Sequence, residues 1–127
     1  MEKVRKILVI DDDLDIGLML QMMLEYKGYE VTVISKADET WETLRNDSFD
    51  LIVLDMLISG VNGTDVCRRL KEENDISQLP VLMISALSDA ETDCREAGAN
   101  DFISKPFEMQ AILSKVDNLV NADYKAV

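Results

Sequence analysis

Short apolar runs rich in β-branched residues recur at 4–10 (VRKILVI), 29–34 (YEVTVI), 49–55 (FDLIVLD), 80–85 (PVLMIS) and 101–104 (DFIS), and each reads as a strand. Longer stretches with helical spacing separate them, at about 13–27, 37–46, 63–74, 88–97 and 107–121. Their punctuation agrees: Gly28 and Gly98 follow the first and fourth, and Pro106 opens the fifth. Five strand–helix units in succession imply an α/β fold, a five-stranded parallel sheet with helices on both faces and right-handed crossovers. The first, third and fourth strands are apolar almost throughout, as strands covered on both sides are. The second alternates Glu30 and Thr32 with Val31 and Val33 and suits an edge. The simplest strand order is then 2-1-3-4-5. In such sheets ligands bind beyond the carboxyl ends of the strands, at the switch point between strands 1 and 3.

The first helix is more apolar than one buried face requires. Ile16, Met19, Leu20, Met23 and Leu24 form a stripe expected to pack on the sheet. Leu14, Leu18 and Met22 form a second stripe that is left over, either a broad apolar face partly covered by neighbouring helices or a docking surface. Leu14 and Leu18 lie beside the strand-end rim, where they can dock against a helical partner.

A chain of 127 residues with 47% apolar content suits one domain with a sizeable core, spanning residues 1–127. Its net charge of −12 argues against nucleic-acid or anionic-membrane binding. The N-terminal apolar run is too short for a signal peptide or a membrane span, which points to the cytoplasm. Cys67 and Cys94 are too few and too far apart for a disulfide framework or a zinc site, and read as reduced thiols on helices. The absence of histidine excludes histidine triads and imidazole metal sites.

The strand ends carry chemistry. Strand 1 ends in Asp11-Asp12, strand 3 in Asp55, strand 4 in Ser85 and strand 5 in Lys105-Pro106. Three converging carboxylates repel one another unless a hard divalent cation relieves them; Mg²⁺ suits such oxygen donors, with Mn²⁺ able to substitute. An ammonium and a hydroxyl beside them can receive a phosphoryl group, and an aspartate can be its nucleophile. Asp13 and Asp15 sit where a helix cap and a first-turn acid belong.

With these residues in place the chain resembles a response-regulator receiver domain of two-component signalling, the chemotaxis-regulator-like, flavodoxin-like fold. The motifs are ILVIDDD (7–13), LIVLDMLISGVNG (51–63), VLMISA (81–86) and DFISKPF (101–107). The resemblance implies that Asp55 is the phospho-acceptor and Asp12 a direct metal ligand. Asp11 would bind the metal mainly through water, and the Leu57 carbonyl would be the third protein ligand. Ser85 matches the switch hydroxyl, Lys105 the phosphate-binding lysine and Phe102 the aromatic that turns inward on activation, while Pro106 would follow a cis peptide. Helices 4 and 5 with strand 5 would form the output face.

The partners so implied are a histidine kinase or histidine phosphotransfer protein and an unidentified downstream protein. Mg²⁺-dependent transfer to Asp55 followed by slow hydrolysis makes a switch rather than a turnover enzyme. The sequence contains no DNA-binding or enzymatic output domain, and ends just after the fifth helix at NADYKAV, as a stand-alone or excised receiver would.

Three positions depart from the family pattern. Ser59 replaces the usual proline, which is expected to loosen that loop; Asn62 replaces an aspartate before Gly63; Phe102 lacks the hydroxyl of the commoner tyrosine.

Rival motifs fail at particular residues. An EF-hand loop starting at Asp11 needs Gly where Ile16 stands and Glu where Met22 stands. A haloacid-dehalogenase-type phosphatase resembles this stretch at Asp11 and Asp13. However, Asp15 stands where Thr or Val is usual, and PVLMISALS offers no acid within reach. A degenerate, interaction-only receiver is disfavoured because Asp12, Asp55, Ser85 and Lys105 are all present.

Overall fold

A computed structural model describes residues 4–87 and 89–121. Ser88, expected at the start of the fourth helix, and the tail beyond Asn121 lie outside the described residues, as do the first three residues.

The apolar runs form five parallel strands, β1 (Lys6–Ile10), β2 (Glu30–Ile34), β3 (Leu51–Asp55), β4 (Val81–Ser85) and β5 (Asp101–Ser104). Their order is β2-β1-β3-β4-β5, as the burial pattern demanded. β1 pairs with β2 from Lys6↔Glu30 to Ile10↔Ile34 and with β3 from Ile7↔Leu51 to Ile10↔Leu54. β3 pairs with β4 up to Asp55↔Ile84, and β4 with β5 up to Ser85↔Ser104. The helices are α1 (Leu14–Tyr26), α2 (Glu39–Asn46), α3 (Gly63–Glu72), α4 (Glu91–Glu96) and α5 (Met109–Val120).

Because side chains alternate along a strand, the sheet separates two cores. Leu8, Ile10, Ile52, Leu54 and Met83 face Val66, Cys67 and Leu70 of α3, Cys94 of α4, and the half-buried Trp41 and Leu44 of α2. Ile7, Val9, Val53, Leu82 and Ile84 face Leu20 and Leu24 of α1 and Ile112, Leu113, Val116 and Val120 of α5. Cys67 and Cys94 are free and buried.

α1 begins where expected: Asp13 is its N-cap, and its carboxylate accepts the N–H groups of Asp15 and Ile16 at 3.0 and 3.2 Å. Its C-cap is Lys27, and Gly28 follows with a φ of +95°, the left-handed residue that suits the position after a helix. Its rotation differs by one position from the stripe read in the sequence. Gly17, Leu20 and Leu24 are buried, Ile16 and Met23 half-buried, and Met19 is 39% exposed. The cause is close approach to β2: a Cβ on Gly17 would lie 3.0 Å from Val33 Cγ1. A glycine facing the sheet turns Met19, about 200° away round the helix, toward solvent.

α5 also starts later than expected. Lys105–Pro106 is a cis peptide, Phe107 packs against the α1–α5 core, and Glu108 is extended as N-cap, so helical bonding begins at Met109. Between β3 and α3 the chain forms an unanticipated two-stranded antiparallel ribbon, Leu57–Ile58 paired with Val61–Asn62.

Candidate functional site

The carboxyl ends of the strands bring Asp11, Asp12, Asp55, Ser85 and Lys105 to one rim. Asp11 follows β1 directly, its N–H donating to the Ile34 carbonyl of β2 at 3.1 Å, and is 1% exposed. Asp55 is the last residue of the fully buried β3 and is 7% exposed. Lys105 is fixed by its own N–H, which donates to the Ser85 carbonyl at 2.7 Å. Its Nζ then lies 3.3 Å from Asp11 Oδ2 and 3.4 Å from Asp55 Oδ2. Asp11 is oriented from its other side, Oδ1 accepting the Asp13 N–H at 2.9 Å.

One ammonium does not balance this set. Burial, and then the charge of Asp11, push the Asp55 carboxyl from 3.8 up to about 6, against the opposing pull of Lys105. Ligand oxygens of Asp11, Asp12 and Asp55 lie within 4.8 Å of one another, so the cluster carries three carboxylates against one cation. Oxygen donors only, surplus negative charge and burial of two of the acids fit a hard divalent cation.

Ser85 is buried, and its Oγ accepts the Leu87 N–H at 3.0 Å. Phe102 is 8% exposed and packs within the core on the α3 side. Leu57 lies on the ribbon, paired with Asn62, with its side chain in solvent. A family model described as response regulator receiver domain matches residues 7–117, a span that includes all of these residues. The chain belongs to this receiver family.

The receiver is 33% identical over 113 residues to the phosphate regulon transcriptional regulatory protein PhoB of Rhizobium meliloti (strain 1021), an alignment covering 87% of this chain and 50% of that protein. The chain spans about half the length of the curated relatives it matches. Among solved structures, a putative response regulator from Chloroflexus aurantiacus superposes with a TM-score of 0.88 at 32% identity, covering 93% of this chain and 98% of that one. A CheY-like receiver domain protein from Methanospirillum hungatei gives 0.89 at 24% identity, over 98% of this chain and all of that one, which speaks for the fold. Receivers are the response-regulator half of two-component signalling, phosphorylated on aspartate by histidine kinases, and generally bind Mg²⁺ in an acidic pocket.

Where this receiver departs from the family pattern, the geometry gives the substitutions work. Ser59 ties its loop to Asp12. Ser59 (φ +43°) and Gly60 (φ +82°) are the two central residues of the ribbon's turn, both in the left-handed region that a two-residue hairpin favours. From there Ser59 donates its N–H and its hydroxyl to Asp12 Oδ2, at 2.7 and 2.9 Å. Sequence reasoning missed this tie. The signal was Ser-Gly between Leu57-Ile58 and Val61-Asn62, a two-residue hairpin turn that would carry the loop back over strand 1.

Asn62 caps α3, its Oδ1 accepting the N–H and hydroxyl of Thr64 at 3.0 and 2.7 Å. Gly63 must be glycine because a Cβ there would lie 2.3 Å from the Asp55 carbonyl oxygen. The receiver's leftover stripe on α1 is open to solvent: Leu14 is 74%, Leu18 56% and Met22 64% exposed. On the far side of the site, Asp101 of β5 joins Arg95 of α4 at 2.9 Å and Lys115 of α5 at 3.2 Å. No helix among the described residues is long and apolar enough to cross a membrane.

Proposed function

We propose that Asp55 accepts a phosphoryl group from a phosphohistidine of a histidine kinase or histidine phosphotransfer protein. The observation that carries this is the placement of one lysine Nζ 3.3 Å from Asp11 and 3.4 Å from Asp55, with Asp12 in the same cluster. An Asp55 carboxylate oxygen forms the new bond to phosphorus while the phosphorus–nitrogen bond of the donor breaks and its electron pair returns to the imidazole. Asp11, Asp12, Asp55 and the Leu57 carbonyl would hold Mg²⁺ or Mn²⁺. The bound cation supplies neutralisation of charge on the transferring phosphoryl oxygens.

Lys105 gives up its contacts to Asp11 and Asp55 to pair with a phosphoryl oxygen. The Ser85 hydroxyl turns from Leu87 to donate to another. Each event uses this chain's own Asp55 and is undone by hydrolysis, so the protein works as a switch and not as a turnover enzyme. Leu14 and Leu18, exposed and next to the capped start of α1, suit a docking face for the donor's helices. α4, β5 and α5 form the output face. Their linkage through Asp101 supports movement as a unit, and Ser85 and Phe102 bias the equilibrium between its two arrangements.

Mass spectrometry after incubation with acetyl phosphate tests the proposal. A gain of one phosphoryl group that requires Mg²⁺ and is absent in Asp55→Ala is expected. An adduct that persists in Asp55→Ala, or that forms equally well in chelator, would refute it.

A further inference from the structure

Ser59 stands in the turn between β3 and α3, outside every set of residues that the chemistry of phosphoryl transfer requires. Yet it makes two hydrogen bonds to one oxygen of Asp12. Asp12 is exposed, has a short side chain, and lies in a cluster with two other carboxylates. Like charge should turn such a side chain outward into water. Two donors on Oδ2, one of them a backbone N–H fixed by the turn, oppose that rotation and leave Oδ1 for a cation. Bonds to an ionised acceptor are the stronger kind.

The donors lie in the turn of the same ribbon that carries Leu57 and that runs into Gly63, which lies against the Asp55 carbonyl. One turn therefore links the carbonyl-bearing segment, the nucleophile's backbone and the exposed carboxylate. A proline at this position could supply neither bond, having no N–H and no hydroxyl, and its φ near −65° excludes the observed +43°.

We infer that Ser59 is a positioning residue for the divalent cation: through its hydroxyl and N–H it holds Asp12 in the ligating arrangement and so raises the affinity of the acidic cluster. This rests on the cation-binding part of the proposed function.

The test is Mn²⁺ binding, counted from the paramagnetic resonance signal of the free ion, for the full chain and for Asp12→Asn, Ser59→Ala and Ser59→Gly. Thermal unfolding of each without metal is measured in parallel. Loss of the hydroxyl alone should weaken Mn²⁺ binding about fivefold in both Ser59 variants, the size expected of one hydrogen bond to a charged group near solvent.

Stability should separate the two variants. Glycine accepts φ +43° without strain and should melt no lower than the parent, whereas alanine keeps the strain and loses the bond. Affinity that follows the hydroxyl while stability follows the backbone supports the inference. Ser59→Ala binding Mn²⁺ as tightly as the parent, or more tightly, overturns it. So does Ser59→Gly binding like the parent while Ser59→Ala is weak, since the role is then purely structural. A parent and Asp12→Asn with equal affinity would remove the cation site itself. Loss of binding in Asp12→Asn with no change in Ser59→Ala would remove only the role of Ser59.

Discussion

Asp55→Asn in chelator should make the protein more stable at neutral pH, and the gain should vanish on acidification. Asp55 ends a fully buried strand, 7% exposed, and its carboxyl is pushed from 3.8 to about 6 by burial and by Asp11. The folded chain therefore binds a proton more tightly than the unfolded chain does. Between about pH 4 and pH 6 the folded state holds more protons, so wild-type stability falls as pH rises through that window and stays low above it.

A difference of about two pH units corresponds to ~3 kcal/mol at pH 7. Asparagine removes the charge but also the contact with Lys105 at 3.4 Å, and its amide must be desolvated. A net gain of about 1–2 kcal/mol is expected. Urea unfolding at pH 7.5, 6.0 and 4.5, followed by fluorescence of the single Trp41, measures it; Trp41 lies 3.8 Å from the Arg69 guanidinium on the α2–α3 side and reports on folding at a distance from the site. A gap between variant and wild type that is the same at all three pH values, or that widens in acid, would show that Asp55 carries no such strain. Adding Mg²⁺ at pH 7.5 should reverse the order, because only wild type keeps all three carboxylates.

Gly63→Ala places a methyl group 2.3 Å from the Asp55 carbonyl oxygen, and should cost ~3 kcal/mol in thermal unfolding and slow labelling by acetyl phosphate. Asp13→Ala removes the acceptor for two N–H groups at the start of α1 and should cost ~1 kcal/mol, with phosphorylation still occurring. Leu18→Glu, on an exposed position, should leave stability unchanged within ~0.5 kcal/mol. It should slow transfer from a phosphohistidine protein without slowing reaction with acetyl phosphate; equal slowing of both would count against the docking face.

The parts of the molecule legible in the sequence were those whose signal is local. Ile7–Ile10 and Leu51–Leu54 announce buried strands by composition alone, and Glu30 and Thr32 mark the edge. Once the strands are ordered, Asp11, Asp55 and Lys105 fall together because parallel strands share a rim. The illegible parts depend on partners far along the chain. Met19 was read as buried because helical periodicity cannot see that Gly17 meets Val33 on another strand. Ser59 was read as loosening its loop because its partner is Asp12, 47 residues away. The start of α5 was misplaced because Phe107 is spent on core packing and not on the first helical turn.

The contact between Lys105 and Asp11 spans 94 residues of chain. During synthesis the acids emerge well before the cation that sits between them, because Lys105 follows β5, the last strand of the sheet in chain order. An incomplete chain thus holds repelling carboxylates and no amine to meet an incoming phosphoryl group. On the proposed mechanism, chains truncated before Lys105 should resist labelling by acetyl phosphate, so labelling should track completion of the rim.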